Sequence, residues 1–126
     1  ARDALQDSVR LAPRQSADAR VLLGQVFLGL KDVKAAEDQF EAVLSLQPDS
    51  VDAQIGIART QLADQKFAEA LRQLAPLSKS QPRNADVFTL LAKAYSGLGR
   101  NLEARQAESR ANVLLDEANK TGPENR

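Results

Sequence analysis

The chain has 126 residues, enough for one compact domain or a short repeat array, and its 17 basic and 17 acidic side chains give a formal net charge of zero. That balance offers no broad field to recruit nucleic acid or an anionic membrane surface. Cys, His, Met and Trp are all absent, which removes disulfides, thiol nucleophiles, Cys/His metal sites and imidazole acid–base chemistry together.

The chain opens with "ARDALQDSVRLAP", which reads as the inside of a structural element. No signal peptide or initiator Met precedes it, so the sequence is expected to be a fragment of a longer protein. The longest apolar stretch, "VLLGQVFLGL" at 21–30, is interrupted by Gln25 and is too short to span a bilayer. The compartment stays open between cytoplasm and periplasm.

From Ala17 the chain falls into register in rows of 34 residues: 17–50, 51–84 and 85–118. The seventh column holds Leu23, Ile57 and Leu91, the eighth Gly24, Ala58 and Ala92, and the eleventh Phe27, Gln61 and Tyr95. Column 20 holds Ala36, Ala70 and Ala104, and column 24 holds Phe40, Leu74 and Glu108. Pro48 and Pro82 share column 32, where the third row has Asp116.

Each row predicts two amphipathic helices. In the first helices, "ADARVLLGQVFLGL" and "ADVFTLLAKAYSGL" place Leu23/Phe27 and Phe88/Leu91/Tyr95 at helical spacing. Ser16, Ser50 and Asn84 are expected as N-caps, with Asp18, Asp52 and Asp86 near the positive end of each helix dipole. The turns "GLKD", "LADQ" and "GLGRN" follow. The second helices then carry Ala36, Phe40, Val43 and Leu44 in one row and Ala70, Leu71, Leu74 and Leu77 in the next. Proline closes each pair because it cannot extend a helix. Small residues in columns 8 and 20 let the two helices cross closely, and larger ones in columns 7, 11 and 24 fill the space beside that contact. One hairpin cannot bury both of its faces, so the rows must stack.

Two departures stand in the middle row. Pro76 lies inside the second helix and should bend it or end it early, as a local kink tolerated by packing rather than a hinge. Gly56 lies mid-helix, at a propensity cost of roughly 1 kcal/mol against Ala, and close helix packing accounts for it better than close approach of a ligand. At the carboxyl end, "RNLEARQAESRANVLLDEANK" predicts one long polar helix stopped at Gly122-Pro123. Its Glu108 takes the place of an apolar side chain, so the helix should cap the stack. Val113, Leu114 and Leu115 are the alternative, a docking face for another chain.

The pattern resembles the tetratricopeptide repeat family, a 34-residue helix–turn–helix unit. Row one carries the signature as Leu23-Gly24-x-x-Phe27, Ala36-x-x-x-Phe40 and Pro48. Row two has Gln61 and Leu74 in place of the aromatic residues, and row three departs at Glu108 and Asp116. The resemblance covers 17–118 and implies an all-α, right-handed superhelical solenoid of antiparallel helix hairpins. Residues 1–16 then become the second helix of a truncated earlier repeat, with Ala1, Leu5 and Pro13 in matching places and one extra loop residue. Residues 119–126 form a polar tail. The missing first helix of that earlier repeat would leave Leu5 and Val9 poorly covered, a surface through which the fragment could self-associate.

The resemblance also implies a ligand groove lined by the first helices, at columns 2, 5, 9 and 12. Column 2 holds Asp18, Asp52 and Asp86, and the candidate ligand residues are Val21, Ile55 and Thr89 in column 5, Gln25, Arg59 and Lys93 in column 9, and Leu28, Leu62 and Ser96 in column 12. Such a groove would be apolar at its amino end and basic towards Lys93, suiting a ligand with apolar side chains and one or two acidic groups. The competing expectation is that Arg59 and Lys93 are solvated or pair with the column-2 Asp residues. The carboxylate clamp of chaperone adaptors in this family is not matched, because Val21, Gln25, Gly56, Asp86 and Leu90 occupy its places.

Asp32, Glu37, Asp38 and Glu41 are expected on a solvated outer face. No Ser has a His base, no Gly-rich loop follows a strand, and no basic stripe is interleaved with aromatics. The expected function is a non-enzymatic protein-binding scaffold with no cofactor, no nucleic-acid partner and no membrane insertion. The Ala/Gln/Arg-rich style leads us to expect a bacterial source. The alternatives are a spacer in a larger envelope or secretion protein, and the non-catalytic arm of an enzyme whose active domain lies outside these residues.

Overall fold

The computed structural model describes residues 13–120, and every regular element among them is an α-helix. The helices are α1 (Pro13–Gly29), α2 (Val33–Leu46), α3 (Val51–Ala63), α4 (Phe67–Ser80), α5 (Ala85–Gly97) and α6 (Asn101–Lys120). Consecutive helices pack on one another, α1 on α2, α2 on α3, α4 on α5 and α5 on α6. This is the architecture of a helical-repeat solenoid. The chain divides into two compact units, Ala1–Asp64 and Gln65–Arg126, with the boundary at the turn inside the 51–84 row.

In the first unit the core gathers Ala17, Val21, Ala36, Phe40, Val43, Ala53 and Ile57, with Phe27, Leu28 and Leu44 packed against it. Phe40 is its centre and is fully buried. A Cβ on Gly24 of α1 would lie 2.6 Å from the Phe40 ring, and one on Gly56 of α3 would lie 2.5 Å from it. The ring therefore lies against two glycines, one on each neighbouring helix. That confirms close packing as the reason for Gly56, since any side chain there would enter space the ring occupies.

In the second unit Ala70, Leu74, Leu77, Val87, Leu90, Leu91 and Ala94 are buried, joined by Ala107, Ala111 and Leu114 of α6. Leu74 takes the column of Phe40, and Leu90 takes that of Gly56. Two medium side chains here replace a large and a null one. The same exchange recurs at the turn end, where the Phe67 ring fills the space a Cβ on Gly97 would need.

The rows repeat their punctuation in hydrogen bonds. Ser50 Oγ accepts from the Ala53 N–H at 3.2 Å, and Asn84 Oδ1 accepts from the Asp86 N–H at 3.1 Å, the expected N-caps. At both proline links the residue before Pro donates back into the helix, Gln47 to the Val43 carbonyl and Gln81 to that of Leu77, each at 2.7 Å. Lys31, Gln65 and Gly99 occupy column 15 of the three rows, and all have positive φ (65°, 62° and 77°). In rows one and three this left-handed residue closes a Schellman motif: Asp32 N–H donates to Phe27 at 2.8 Å, and Arg100 N–H to Tyr95 at 2.9 Å.

Four expectations are corrected. Ser16 is no N-cap, because α1 starts at Pro13 and buries Ser16 within its first turns. Asp32 is not on the outer face of α2; it caps that helix, accepting from the Ala35 N–H at 3.3 Å. Of the two outcomes expected at Pro76, a bend or an early end, the early end is overturned, since α4 runs on to Ser80. Leu74 and Leu77 are buried on either side of the exposed proline and hold both flanks in helical register. Val113, Leu114 and Leu115 do not form one face, because Leu114 is buried whereas Val113 and Leu115 are exposed, as 100° per residue requires. The predictions for Ala1, Leu5, Val9, Gly122-Pro123 and the tail beyond residue 120 lie outside the described residues.

Candidate functional site

The nine residues predicted to line a groove separate by column. In column 5, Val21 and Ile55 are buried and only Thr89 is exposed. Val21 belongs to the core around Phe40; its side chain holds helices together and offers little surface. In column 9, Gln25, Arg59 and Lys93 are all exposed. In column 12, Leu28 and Leu62 are half-buried and Ser96 is exposed, with Leu28 leaning on the first core.

Helix packing brings these residues together within each unit. α1 and α3 touch directly, so Gln25, Arg59 and the half-buried Leu28 and Leu62 stand on neighbouring first helices of the first unit. Thr89, Lys93 and Ser96 stand on α5 of the second. Thr89 turns its hydroxyl back to donate to the Ala85 carbonyl at 3.0 Å, a local bond that occupies its proton. The surface that these nine residues expose is thus more polar than the sequence gradient implied. Its surviving chemistry is an amide, two cations and two hydroxyls.

A second feature escaped the sequence. The link between α4 and α5, residues 80–86, lines a wide-mouthed concavity of about 630 Å³. Arg83 leaves this link to donate to Glu117 of α6 at 2.6 Å, and Arg110 Nη2 donates to the Pro82 carbonyl at 3.4 Å. Arg83 and Glu117 stand 34 residues apart, one repeat period, so the row register could have paired them. Arg83 is largely exposed and Glu117 partly so, and such a pair stabilises by at most about 1 kcal/mol.

Titration behaviour is perturbed away from these surfaces. The Asp38 carboxylate, hydrogen-bonded to Lys34 at 3.3 Å, raises the ammonium above its ordinary value. The Arg100 guanidinium, bonded to Glu103 at 2.6 Å, holds that carboxyl below its ordinary value. Arg100 also lies 5.0 Å from the centre of the Tyr95 ring, so one side chain clamps the α5–α6 turn from both sides. Among the described residues no three carboxylates gather at metal-holding distance, and no helix is long and apolar enough to cross a membrane.

A family model described as tetratricopeptide repeat matches residues 27–94, more than half of the chain. No curated protein matches it.

Proposed function

The chain belongs to the tetratricopeptide repeat family, whose members generally mediate protein–protein interaction, and on that premise we propose that it is a non-catalytic scaffold capturing a peptide or partner segment on the exposed face of its first helices. One observation carries the reading. Column 9 presents an exposed polar or cationic side chain in every row, Gln25, Arg59 and Lys93, whereas most columns around it are spent on packing. Exposed polar side chains on helices suit recognition of a segment with its own hydrogen-bonding groups.

Charge distribution indicates the ligand's sign. Residues 1–64 carry seven basic and ten acidic side chains, and residues 65–126 carry ten and seven. Lys93 stands in the basic half, so an acidic segment would be steered there. Affinity would then be ionic and salt-dependent, because Val21 and Ile55 are buried and leave few apolar anchors. That same burial favours the second reading, a spacer whose first helices serve stacking alone.

The test is affinity capture from source lysate with mass-spectrometric identification, comparing wild type with an Arg59→Glu/Lys93→Glu variant of matched helicity. A partner held by wild type and lost by the variant supports capture of an acidic ligand by the first helices. A partner held equally by both places binding elsewhere, and capture of nothing by either favours the spacer.

A further inference from the structure

Leu22, Val26 and Leu30 stand at i, i+4 and i+8 along α1 and its C-terminal end, and they are 63%, 56% and 71% exposed. On the other side of the same helix Ala17 and Val21 enter the core around Phe40. α1 is thus apolar on two sides, and a helix apolar all round belongs under cover all round. The other large hydrophobic side chains exposed among the described residues, such as Leu46 and Leu98, lie on other elements.

A glycine marks the same face. Gly24, Gly56 and Gly97 have the ring of Phe40 or Phe67 where a Cβ would stand, and Gly99 has a φ of +77°. Gly29 has neither reason. It is exposed beside the stripe, and a Cβ there would meet nothing within 4 Å. Nothing in its own unit requires the missing side chain, so the space is free for a close approach from outside.

We propose that the stripe is a self-association surface, on which α1 of a second copy of this chain packs antiparallel about a two-fold axis. Ala19, Leu22, Val26 and Gly29 stand at i, i+3, i+7 and i+10, the heptad spacing by which two helices interlock. With the axis between Leu22 and Val26, Leu22 meets the partner's Val26 and Ala19 meets the partner's Gly29. The small pair lets the backbones approach, and Leu30 closes each end of the seam. Charge selects the direction. Asp18 and Lys31 are exposed at opposite ends of the stripe, and neither is in an ion pair among the described residues. Antiparallel pairing on this axis brings each Asp18 within one residue of the partner's Lys31, whereas parallel pairing in register would set Asp18 against Asp18. Between them the nearest charge, Arg20, is half-buried and donates to Gln39 at 3.1 Å. From Ala19 to Leu30 the seam is roughly 17 Å long, which places it among small interfaces of less than about 1,200 Å², so a midpoint on the order of 10–100 µM is expected. This surface goes beyond ligand capture, since Arg59 and Lys93 stand on other helices.

Sedimentation equilibrium of the full chain tests it, from about 2 to 500 µM at roughly 50 mM salt, where screening is weak. Wild type should pass from one chain mass to two across that range, and Val26→Glu should stay at one. Asp18→Lys should weaken the dimer about tenfold, because each substitution alters two symmetric pairs. Asp18→Lys/Lys31→Asp should restore it to within about threefold of wild type; Asp tolerates the left-handed backbone at position 31. Circular dichroism confirms equal helicity of every variant. Wild type at one chain mass throughout gives the stripe to another occupant and overturns the proposal. A dimer that survives Val26→Glu is held elsewhere, and overturns it too. Loss with Val26→Glu but no rescue by the charge exchange overturns the antiparallel pairing.

Discussion

Phe40 shows what one side chain decides here. Its ring fills the volume that Cβ atoms on Gly24 and Gly56 would need, so Gly56→Ala pits a helix-propensity gain of roughly 1 kcal/mol against an overpacking cost of about 1–3 kcal/mol. Net destabilisation by about 1 kcal/mol is expected in urea unfolding. In a Phe40→Leu background the same change should become stabilising, and that reversal of sign separates packing from propensity. Gln61 is the opposite case. It takes the column filled by Phe27 and Tyr95, and its buried Oε1 has no hydrogen-bond partner. Gln61→Leu should raise stability by about 1 kcal/mol by removing an unpaired buried acceptor. Unchanged or lower stability in thermal melts would mean that the amide is satisfied in solution. For Glu103, the depressed folded value means its contribution is present above the unfolded pKa and is lost as pH falls through the folded one. Carboxyl NMR should find its midpoint below that of an ordinary glutamate in wild type, and higher in Arg100→Gln than in wild type.

Helices in this chain are set by their ends as much as by their faces. α2 and α3 are closed by side-chain caps from Asp32 and Ser50, but α4 begins after Lys66, which makes no capping hydrogen bond. Lys66→Asp should gain about 1 kcal/mol by satisfying an orphan N–H and by placing an anion at the positive helix end. Proline in mid-helix tells the complementary story. α4 tolerates Pro76 because its ring is exposed and the leucines beside it are buried, so Pro76→Ala should stabilise by as much as about 3 kcal/mol without moving either helix boundary. Circular dichroism together with denaturation would read both effects. The left-handed residue of column 15 belongs to the same scale: all three rows adopt the geometry, and only the third has the glycine that suits it.

Across the whole molecule, the two compact units place opposite charge excesses along one chain of zero net charge. An acidic peptide drawn to the basic half should therefore lose affinity steeply as salt rises from about 50 to 500 mM, where the screening length falls from roughly 14 to 4 Å. Salt-independent binding measured by calorimetry would point to an apolar contact in its place. With Val21 and Ile55 buried, column 5 of the first helices has little apolar surface to supply one.

The repeat period, the helix pairs, the caps at Ser50 and Asn84 and the role of Gly56 were legible in the residues themselves. Each is a local pattern, or a pattern that recurs every 34 residues, and stacking identical units copies the same chemistry into the same column. The start of α1 and the capping by Asp32 were not legible, and at Pro76 the residues left a bend or an early end open. Each depends on which of two local options the surrounding packing rewards. The ligand face was half legible for the same reason. Column position put Val21 and Gln25 alike on the first helix, but only the placement of α2 decided that Val21 enters the core around Phe40 while Gln25 meets water. A sequence determines which residues share a column; burial is a property of what lies opposite, and that is decided by the folded chain.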